Sequence, residues 1–280
     1  MSQQIGYPNG APCWVETLQP DPHAAVEFYG PLFGWEFHET GAEVDRKGSR
    51  GDDGGGYFTL DGKQVAGIRS IKAPDNQPIP PMWSTSIRTA GIGAAIEDAA
   101  GAGGKVLLGP IPVPGGQWAM LMDPTGAAIG LLEPGDRAGD QAGAELVNEP
   151  GTWMMSSLHT PDTAAAGRFY KDLFEWEAEL RAPDSPVSFF RLPGYDGGKP
   201  GQDVPDDVVA VMRGIDSSDA VNTPPHWGVN LRVADTEATA QKTGGLGGQV
   251  LMPPTTTPEF VNAVLMDPQG AVFSVSQVVA

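Results

Sequence analysis

The chain has 280 residues, of which 40% are hydrophobic and 19% are charged, and its formal net charge at pH 7 is −18. This composition indicates a globular protein with enough apolar residues to build a core, and it excludes an intrinsically disordered chain. The acidic balance argues against nucleic acid and anionic membranes as partners, because both are bound through Lys and Arg.

The dominant pattern along the chain is a repeat. The segment from Asp21 to Trp35 returns from Asp162 to Trp176 at an offset of 141 residues, and the turn Met122–Gly126 returns as Met266–Gly270 at an offset of 144. A period of this length indicates two whole domains rather than a solenoid of short units. We expect domain 1 over residues 1–134, a linker over 135–150 and domain 2 over 151–280, each domain large enough for its own core.

Domain 1 is predicted to consist of two βαβββ modules. Asp21 is a predicted helix N-cap with Pro22 after it, apolar residues at three- and four-residue spacing carry the helix to Phe33, and Gly34 ends it. The glycine-rich segment Gly41–Gly56 is predicted to be a mobile loop. The other predicted elements are strands at Trp14–Leu18, Trp35–His38, Tyr57–Leu60, Val65–Ile71, Trp83–Thr89, Val106–Leu108, Trp118–Met122 and Ala127–Leu132, and a helix at Gly91–Ala102.

Domain 2 is predicted to repeat this order. In both domains the last two strands are joined by an Asp-Pro-x-Gly turn, which starts at Asp123 and again at Asp267, and Pro and Gly at these positions suit a type I turn. The predicted elements are strands at Trp153–Leu158, Trp176–Arg181, Ser188–Leu192, Val208–Arg213, Trp227–Val233, Val250–Met252, Val261–Met266 and Ala271–Gln277, and a helix at Thr236–Thr243.

Cysteine usage and the absence of targeting patterns suggest the compartment. The single Cys13 excludes an internal disulfide and favours a reducing environment. The N-terminus has neither the basic start nor the apolar run of a signal peptide, and no segment approaches the ~20 apolar residues of a membrane span. We therefore expect a cytoplasmic protein.

The repeated modules resemble the vicinal oxygen chelate superfamily, which includes glyoxalase I, extradiol dioxygenases and bleomycin-resistance proteins. The segment Glu16–Trp35, its repeat Ser157–Trp176 and the Asp-Pro-x-Gly turns carry the resemblance. It implies an α+β fold, with two glyoxalase-like domains in tandem and eight strands per domain curled around a ligand cleft. The sequence leaves open whether modules pair within a domain, across the repeats or between chains. The chain could thus be a monomer or a homodimer.

The resemblance also locates the places where metal-dependent relatives carry their His and Glu ligands. In this chain those six places hold Trp14, Ser84 and Gly130 in domain 1, and Met155, Gly228 and Ser274 in domain 2. None of the six side chains is a His, Glu, Asp or Cys donor of the kind that binds Fe, Mn, Ni or Zn. The sequence therefore predicts no metal and no cofactor.

Strand alternation predicts which other side chains face the clefts. Glu16 is a candidate catalytic residue that either pairs with Arg88 around a ligand or forms a structural salt bridge with it. His159 and His226 are candidates for an acid–base pair on neighbouring strands. The predicted ligand-binding residues are Trp14, Ser84, Ser86, Arg88, Trp118, Met155, Ser157, Asn230, Arg232 and Ser274, where the tryptophans either stack on a planar ligand or fill the core.

Two functions fit this pattern of residues. The first is a metal-independent binding protein that holds a small aromatic metabolite or natural product, as in the resistance branch of the family. The second is a metal-independent enzyme of secondary metabolism, an isomerase, cyclase or lyase. It would use Glu16 or a histidine as general base and Arg88 or Asn230 to stabilise an oxyanion. A glyoxalase-type lyase is a weaker third alternative, because it would need the metal.

Overall fold

The computed structural model describes residues 6–40, 55–70, 80–135, 142–197, 206–215 and 223–279. The predicted strands and helices are all present, with boundaries that move by a few residues. Domain 1 contains β1 Pro12–Leu18, α1 Pro22–Phe33, β2 Glu36–Glu39, β3 Gly56–Leu60, β4 Lys63–Arg69, β5 Met82–Arg88, α2 Ile92–Gly101, β6 Lys105–Val113, β7 Gly116–Met122 and β8 Ala128–Pro134. Domain 2 contains β9 Thr152–Thr160, α3 Thr163–Phe174, β10 Glu177–Leu180, β11 Val187–Arg191, β12 Val208–Gly214, β13 His226–Arg232, α4 Thr236–Gly245, β14 Gln249–Thr256, β15 Phe260–Met266 and β16 Val272–Val278.

The largest boundary differences are in β6 and β14. Each strand continues past prolines, beyond its predicted end. Its pairing with the next strand shifts register at these prolines, between Leu108 and Ile111 in β6 and between Met252 and Thr255 in β14. Both are the last strands of their sheets. A proline costs little at an edge, because the missing N–H would face no further strand. Of the predicted mobile loop Gly41–Gly56, residues 41–54 lie outside the described residues.

The local caps agree with the sequence. The Asp21 carboxylate accepts a hydrogen bond from the Ala24 N–H, and Gly34 ends α1 in the left-handed conformation. Asp162 caps α3 in the same way through the Ala165 N–H. Glu175, at the position equivalent to Gly34, also adopts the left-handed conformation, so the repeat preserves the helix end even where glycine is lost.

The strands form two open eight-stranded mixed sheets, in the orders β2-β3-β4-β1-β5-β8-β7-β6 and β10-β11-β12-β9-β13-β16-β15-β14. The two modules of each domain meet at the antiparallel pairs β1–β5 and β9–β13. Modules therefore pair within a domain, and the predicted α+β fold with two tandem domains of eight strands each is confirmed.

One face of each sheet, called here the core face, is covered by helices from both domains. Phe28 and Tyr29 of α1 contact Phe273 of β16, with ring centroids 6.4 and 5.7 Å apart. Phe169 and Tyr170 of α3 lie in a second cluster that includes strand residues of domain 1. Although each domain is large enough for its own core, the cores are shared, because each helix buries its apolar face against strands of both repeats. The opposite surface of each sheet, called the cleft face, is left for other contacts.

A pair of buried polar clasps connects the domains. The Tyr29 hydroxyl donates to Asp267 Oδ2 at 2.8 Å and accepts from the Trp83 indole at 2.9 Å. The equivalent Tyr170 hydroxyl donates to Asp123 Oδ2 at 2.9 Å and accepts from the Trp227 indole at 2.7 Å. The other oxygen of each aspartate accepts backbone N–H groups of its own Asp-Pro-x-Gly turn. The turn motif thus positions a carboxylate that binds the other domain.

The segment between the domains is also packed where the structure describes it. Ala144, Leu146 and Val147 are buried, and the Tyr7 hydroxyl donates to the Ala144 carbonyl at 2.8 Å. Among the described residues, no helix is long and apolar enough to cross a membrane.

Removal of either clasp hydroxyl should destabilise the whole protein. In Tyr29→Phe, buried Asp267 and Trp83 lose a partner, so we expect the free energy of unfolding to fall by about 1.5–3 kcal/mol. Tyr170→Phe should give a similar loss. Urea denaturation measures both, with Tyr57→Phe at a partly exposed position as the control. A loss no larger than that of the control would contradict a structural role for the clasps.

Candidate functional site

The cleft face of domain 1 is built around the central strand pair β1–β5. Trp14 lies opposite Ser86, and Glu16 lies opposite Ser84. The Trp118 indole on β7 donates to the Ser86 hydroxyl at 3.0 Å, which places Trp118 on this face. The sequence-predicted ligand-binding residues of domain 1 other than Arg88 are therefore brought together.

The partner of Glu16 is Arg69, not Arg88. The Arg69 Nε donates to the Glu16 carboxylate, and the Arg69 guanidinium lies 4.6 Å from the centre of the Trp118 ring. The predicted Glu16–Arg88 pair is wrong because β4, whose last residue is Arg69, is the parallel neighbour of β1. Arg88 lies at the end of β5 and lines a separate depression with Asn9 and Glu133.

Two glycines make room for the indoles on this face. A Cβ added at Gly67 would lie 2.7 Å from Trp14 Nε1, and one at Gly130 would lie 3.1 Å from Trp118 Nε1. Glu16, Ser86 and Trp118 are almost completely inaccessible to solvent. The cleft face of domain 1 is therefore filled by its own side chains.

Two polar atoms on this face have no hydrogen-bond partner in the described structure. They are Glu16 Oε1 and Ser84 Oγ, on side chains that are at most 1% exposed. Burial raises the pKa of Glu16, and the charge and hydrogen bond of Arg69 partly oppose this effect. Glu16 is thus a buried carboxyl with one free oxygen, but large side chains surround it.

The cleft face of domain 2 is more open and carries smaller side chains. Met155 occupies the place of Trp14, Ser157 that of Glu16, and Asn262 that of Trp118. The partly exposed residues of this face are Ser157, His159, Phe189, Val211, His226, Gly228, Asn230, Phe260, Asn262, Val264 and Ser274. A Cβ added at Gly228 would meet only Ser157, at 3.3 Å from its hydroxyl.

Uncharged hydrogen-bonding groups occupy one side of this cleft. The Asn230 side chain donates to Ser276 Oγ at 2.8 Å, and the Ser276 hydroxyl lies 2.6 Å from Asn262 Oδ1. Both asparagines remain partly exposed, and each has an amide group that can also bind a ligand. Ser274 lies beside Asn230 on the adjacent strand.

The two predicted histidines meet on the other side. His159 and His226 are opposite each other on β9 and β13, and their rings stack with centroids 4.6 Å apart. His159 Nε2 lies 3.2 Å from the Ser157 hydroxyl. Burial, together with the neighbouring His226 and Arg213, lowers the pKa of His159 to about 4. His159 is therefore neutral at pH 7 and can accept a proton or a hydrogen bond.

Arg232 occupies the end of β13, away from the histidines. Its guanidinium donates to the Asn148 carbonyl in the segment between the domains. This bond gives Arg232 a structural partner, so a direct role in ligand binding remains only a prediction.

A divalent ion of the kind that metal-dependent relatives hold in the cleft needs several His, Cys, Asp or Glu donors close together. In the described ranges, no group of three or more His, Cys, Asp or Glu side chains is arranged to hold a metal ion. The indole, thioether and glycine at Trp14, Met155 and Gly130 supply no hard donor atom. The residues present do not fit the family's metal.

Sequence reasoning missed Arg69, Arg213 and Asn262. Arg69 and Arg213 are 144 residues apart, the offset of the repeat, so a search for charged residues at paired positions would have found both. Asn262 stands at the same offset from Trp118. Its role depends on contact with Ser276, which strand alternation alone does not predict.

The depressed pKa of His159 predicts a specific dependence of stability on pH. The unfolded histidine titrates near 6.5 and the folded one near 4, so its contribution to stability is complete above about pH 6.5 and is lost as the pH falls toward 4. The free energy of unfolding should fall when the pH is lowered from about 7 to about 5. We expect this fall to be roughly 1–2 kcal/mol smaller in His159→Gln than in the wild type. Urea denaturation at both values measures this, with the exposed His23→Gln as control. Equal losses in all three proteins would contradict it.

Models of two related families match the two halves of the chain. The Glyoxalase/Bleomycin resistance protein/Dioxygenase superfamily matches residues 14–131, and the glyoxalase-like domain matches residues 153–276. The putative glyoxylase CFP32 of Mycobacterium bovis is 33% identical over 282 residues, which cover 98% of this chain and 97% of the relative. The anthracycline biosynthesis protein DauV of Streptomyces sp. strain C5 is 33% identical over 285 residues, or 95% of this chain and 92% of the relative.

Solved structures share the fold. The Mn(II)-bound glyoxalase from Novosphingobium aromaticivorans aligns with 99% of this chain and 83% of its own, with a TM-score of 0.59 and 15% sequence identity. The two family matches and the full-length relatives lead to one conclusion. The chain belongs to the glyoxalase/bleomycin resistance protein/dioxygenase superfamily.

Proposed function

We propose that this protein binds a small planar aromatic molecule without a metal, on the cleft face of domain 2. The observation that carries this proposal is the uncharged hydrogen-bonding row Asn230–Ser276–Asn262, which lies beside apolar side chains. Ser276 is buried, and both asparagines are partly exposed. Met155, Phe189, Val211 and Phe260 belong to or pack against one apolar cluster on this face. Apolar walls with a few polar groups are typical of small-molecule sites.

The difference between the domains supports the choice of cleft. In domain 1 the two indoles and the Glu16–Arg69 pair occupy the space that a ligand would need. In domain 2 the same positions carry a thioether, an amide and a hydroxyl. Gly228 has no side chain, so the space above it can hold a flat ring. A ligand there would receive hydrogen bonds from neutral groups and van der Waals contact from Met155 and Phe189.

The relatives suggest the chemical class of the ligand. DauV is named for anthracycline biosynthesis. Anthracyclines contain fused planar rings with phenol and quinone oxygens, and such oxygens match the amide and hydroxyl groups of the row. A hydroxylated anthraquinone is therefore a suitable probe.

A cleft-filling substitution tests the proposed site. We expect quinizarin, a dihydroxyanthraquinone, to bind chelator-treated wild-type protein with one site in isothermal titration calorimetry. Gly228→Val should weaken binding at least about tenfold, because the added methyl groups occupy the ring's place and remove apolar contact. Gly244→Val, the same change on an exposed part of α4, is the control.

Three results would contradict the proposal. The first is the absence of saturable binding, the second is equal affinity in Gly228→Val and wild type, and the third is binding that returns only when a transition metal is added. Circular dichroism of each variant shows whether the fold is retained.

A second candidate function is a metal-independent enzyme acting by proton transfer in the same cleft. The observation that favours it is neutral His159, which lies beside the Ser157 hydroxyl and against His226 and so can act as a general base toward a ligand hydroxyl. Asn230 lies four residues farther along β13 than His226, so it would stabilise negative charge that a conjugated ring system delocalises to the far end of the ligand. Glu16, the other catalytic candidate, lies in the filled cleft of domain 1 and is the weaker choice.

Analysis of the ligand after incubation separates the two functions. If the protein is an enzyme, mass spectrometry and chromatography should reveal a product formed from quinizarin or from a cell extract of candidate aromatic substrates. His159→Gln should reduce its formation by about a hundredfold or more, the usual contribution of a general base. Unchanged ligand recovered with both proteins favours the binding protein.

A further inference from the structure

We infer that the ligand of domain 2 carries a carboxylate, and that Arg213 is the residue that binds it. This inference rests on the proposed function and specifies the class of its ligand. It follows from a difference between the two repeats at one pair of equivalent arginines.

Arg69 and Arg213 occupy the same place in their sheets. Arg69 is the register partner of Leu18 on β1, and Arg213 is the register partner of His159 on β9. Leu18 and His159 are themselves equivalent in the repeat. Met212, the neighbour of Arg213, is buried in the core, so strand alternation directs Arg213 to the cleft face.

Of these two arginines, Arg69 alone has a carboxylate partner among the described residues. Glu16 neutralises Arg69, and the Trp118 ring covers its guanidinium. In domain 2, Ser157 replaces Glu16 and Asn262 replaces Trp118, which removes both partners. Arg213 is exposed, and no described carboxylate lies within ion-pairing distance of it. Arg191, at the other end of the β11–β12 pair, is paired with Asp207 and Glu179.

The cleft residues around Arg213 form rows with different chemistry. Arg213, His159 and His226 are register neighbours on three adjacent strands and form one row. The next row along the strands is Val211, Ser157 and Gly228, and the third contains Met155, Asn230 and Ser274. The first row carries the guanidinium and two imidazoles. The second row has small side chains and is largely apolar, and the third carries uncharged polar groups.

This order defines the shape of the ligand. Rows on one face are two residues apart, so the first and third rows are separated by about 13 Å. A fused-ring aromatic acid fits the arrangement, with its carboxylate at Arg213, its rings over Gly228 and its carbonyl or hydroxyl oxygen at Asn230. A bidentate pair between guanidinium and carboxylate would supply the counter-charge that Glu16 supplies in domain 1. The Arg213 guanidinium places a positive charge in this row of an otherwise acidic protein, and this charge would attract an anion.

A matched pair of probes tests the inference. Isothermal titration calorimetry at neutral pH and low salt compares an anthraquinone carboxylate with the corresponding carboxamide, which has the same shape and no charge. We expect wild-type protein to bind the carboxylate about tenfold more tightly. Arg213→Met should abolish this preference and leave the affinity for the amide within about twofold, whereas Arg168→Met, on the exposed side of α3, should retain the preference.

A second variant transfers the internal carboxylate of domain 1 to domain 2. Ser157→Glu places an acid where Glu16 pairs with Arg69, so it should weaken carboxylate binding by about tenfold or more and leave the amide as the preferred probe. Equal binding of the two probes by the wild type, or a carboxylate preference retained in Arg213→Met, would overturn the inference and leave the proposed function intact. Failure of both probes to bind the wild type would overturn both.

Discussion

The structure depends on the burial of helices α1 and α3 against strands of both domains. Each helix brings a Phe-Tyr pair into a core shared between the repeats, and each tyrosine reaches the aspartate of the other domain's Asp-Pro-x-Gly turn. A buried carboxylate must be hydrogen-bonded, so this contact specifies how the domains sit together. Because the helices cover the core faces, the opposite face of each sheet is left for other contacts.

The two cleft faces show how one backbone supports different contents. Domain 1 has two tryptophans seated over glycines and a buried ion pair, so its face resembles a small additional core. Domain 2 replaces the tryptophans with Met155 and Asn262 and the glutamate with Ser157, and its face stays partly exposed. Duplication permits this divergence, because one half can gain packing on its cleft face while the other half keeps that face partly exposed.

The positions at which metal-dependent relatives hold their ion carry no His, Glu, Asp or Cys in either domain. Trp14 and Gly130 belong to the packing of domain 1, in which the Trp14 indole lies against Gly67 and the Trp118 indole lies against Gly130. Met155 and Ser274 line the open face of domain 2, where they offer apolar contact and a hydroxyl group. The side chains at these positions therefore shape the two cleft faces by packing and by exposure.

The sequence by itself determined the tandem fold, the helix caps, the order of helices and strands along each module and the residue types at the six places where relatives carry their metal ligands. These properties depend on local spacing and on a repeat that is visible in the residues. Only the tertiary structure decided that Glu16 pairs with Arg69 rather than Arg88, that Trp118 fills the first cleft, and that the cores are shared. Those contacts join residues on strands that are distant in the chain. Strand alternation states which face a side chain occupies, whereas sheet order and domain packing decide what it meets there.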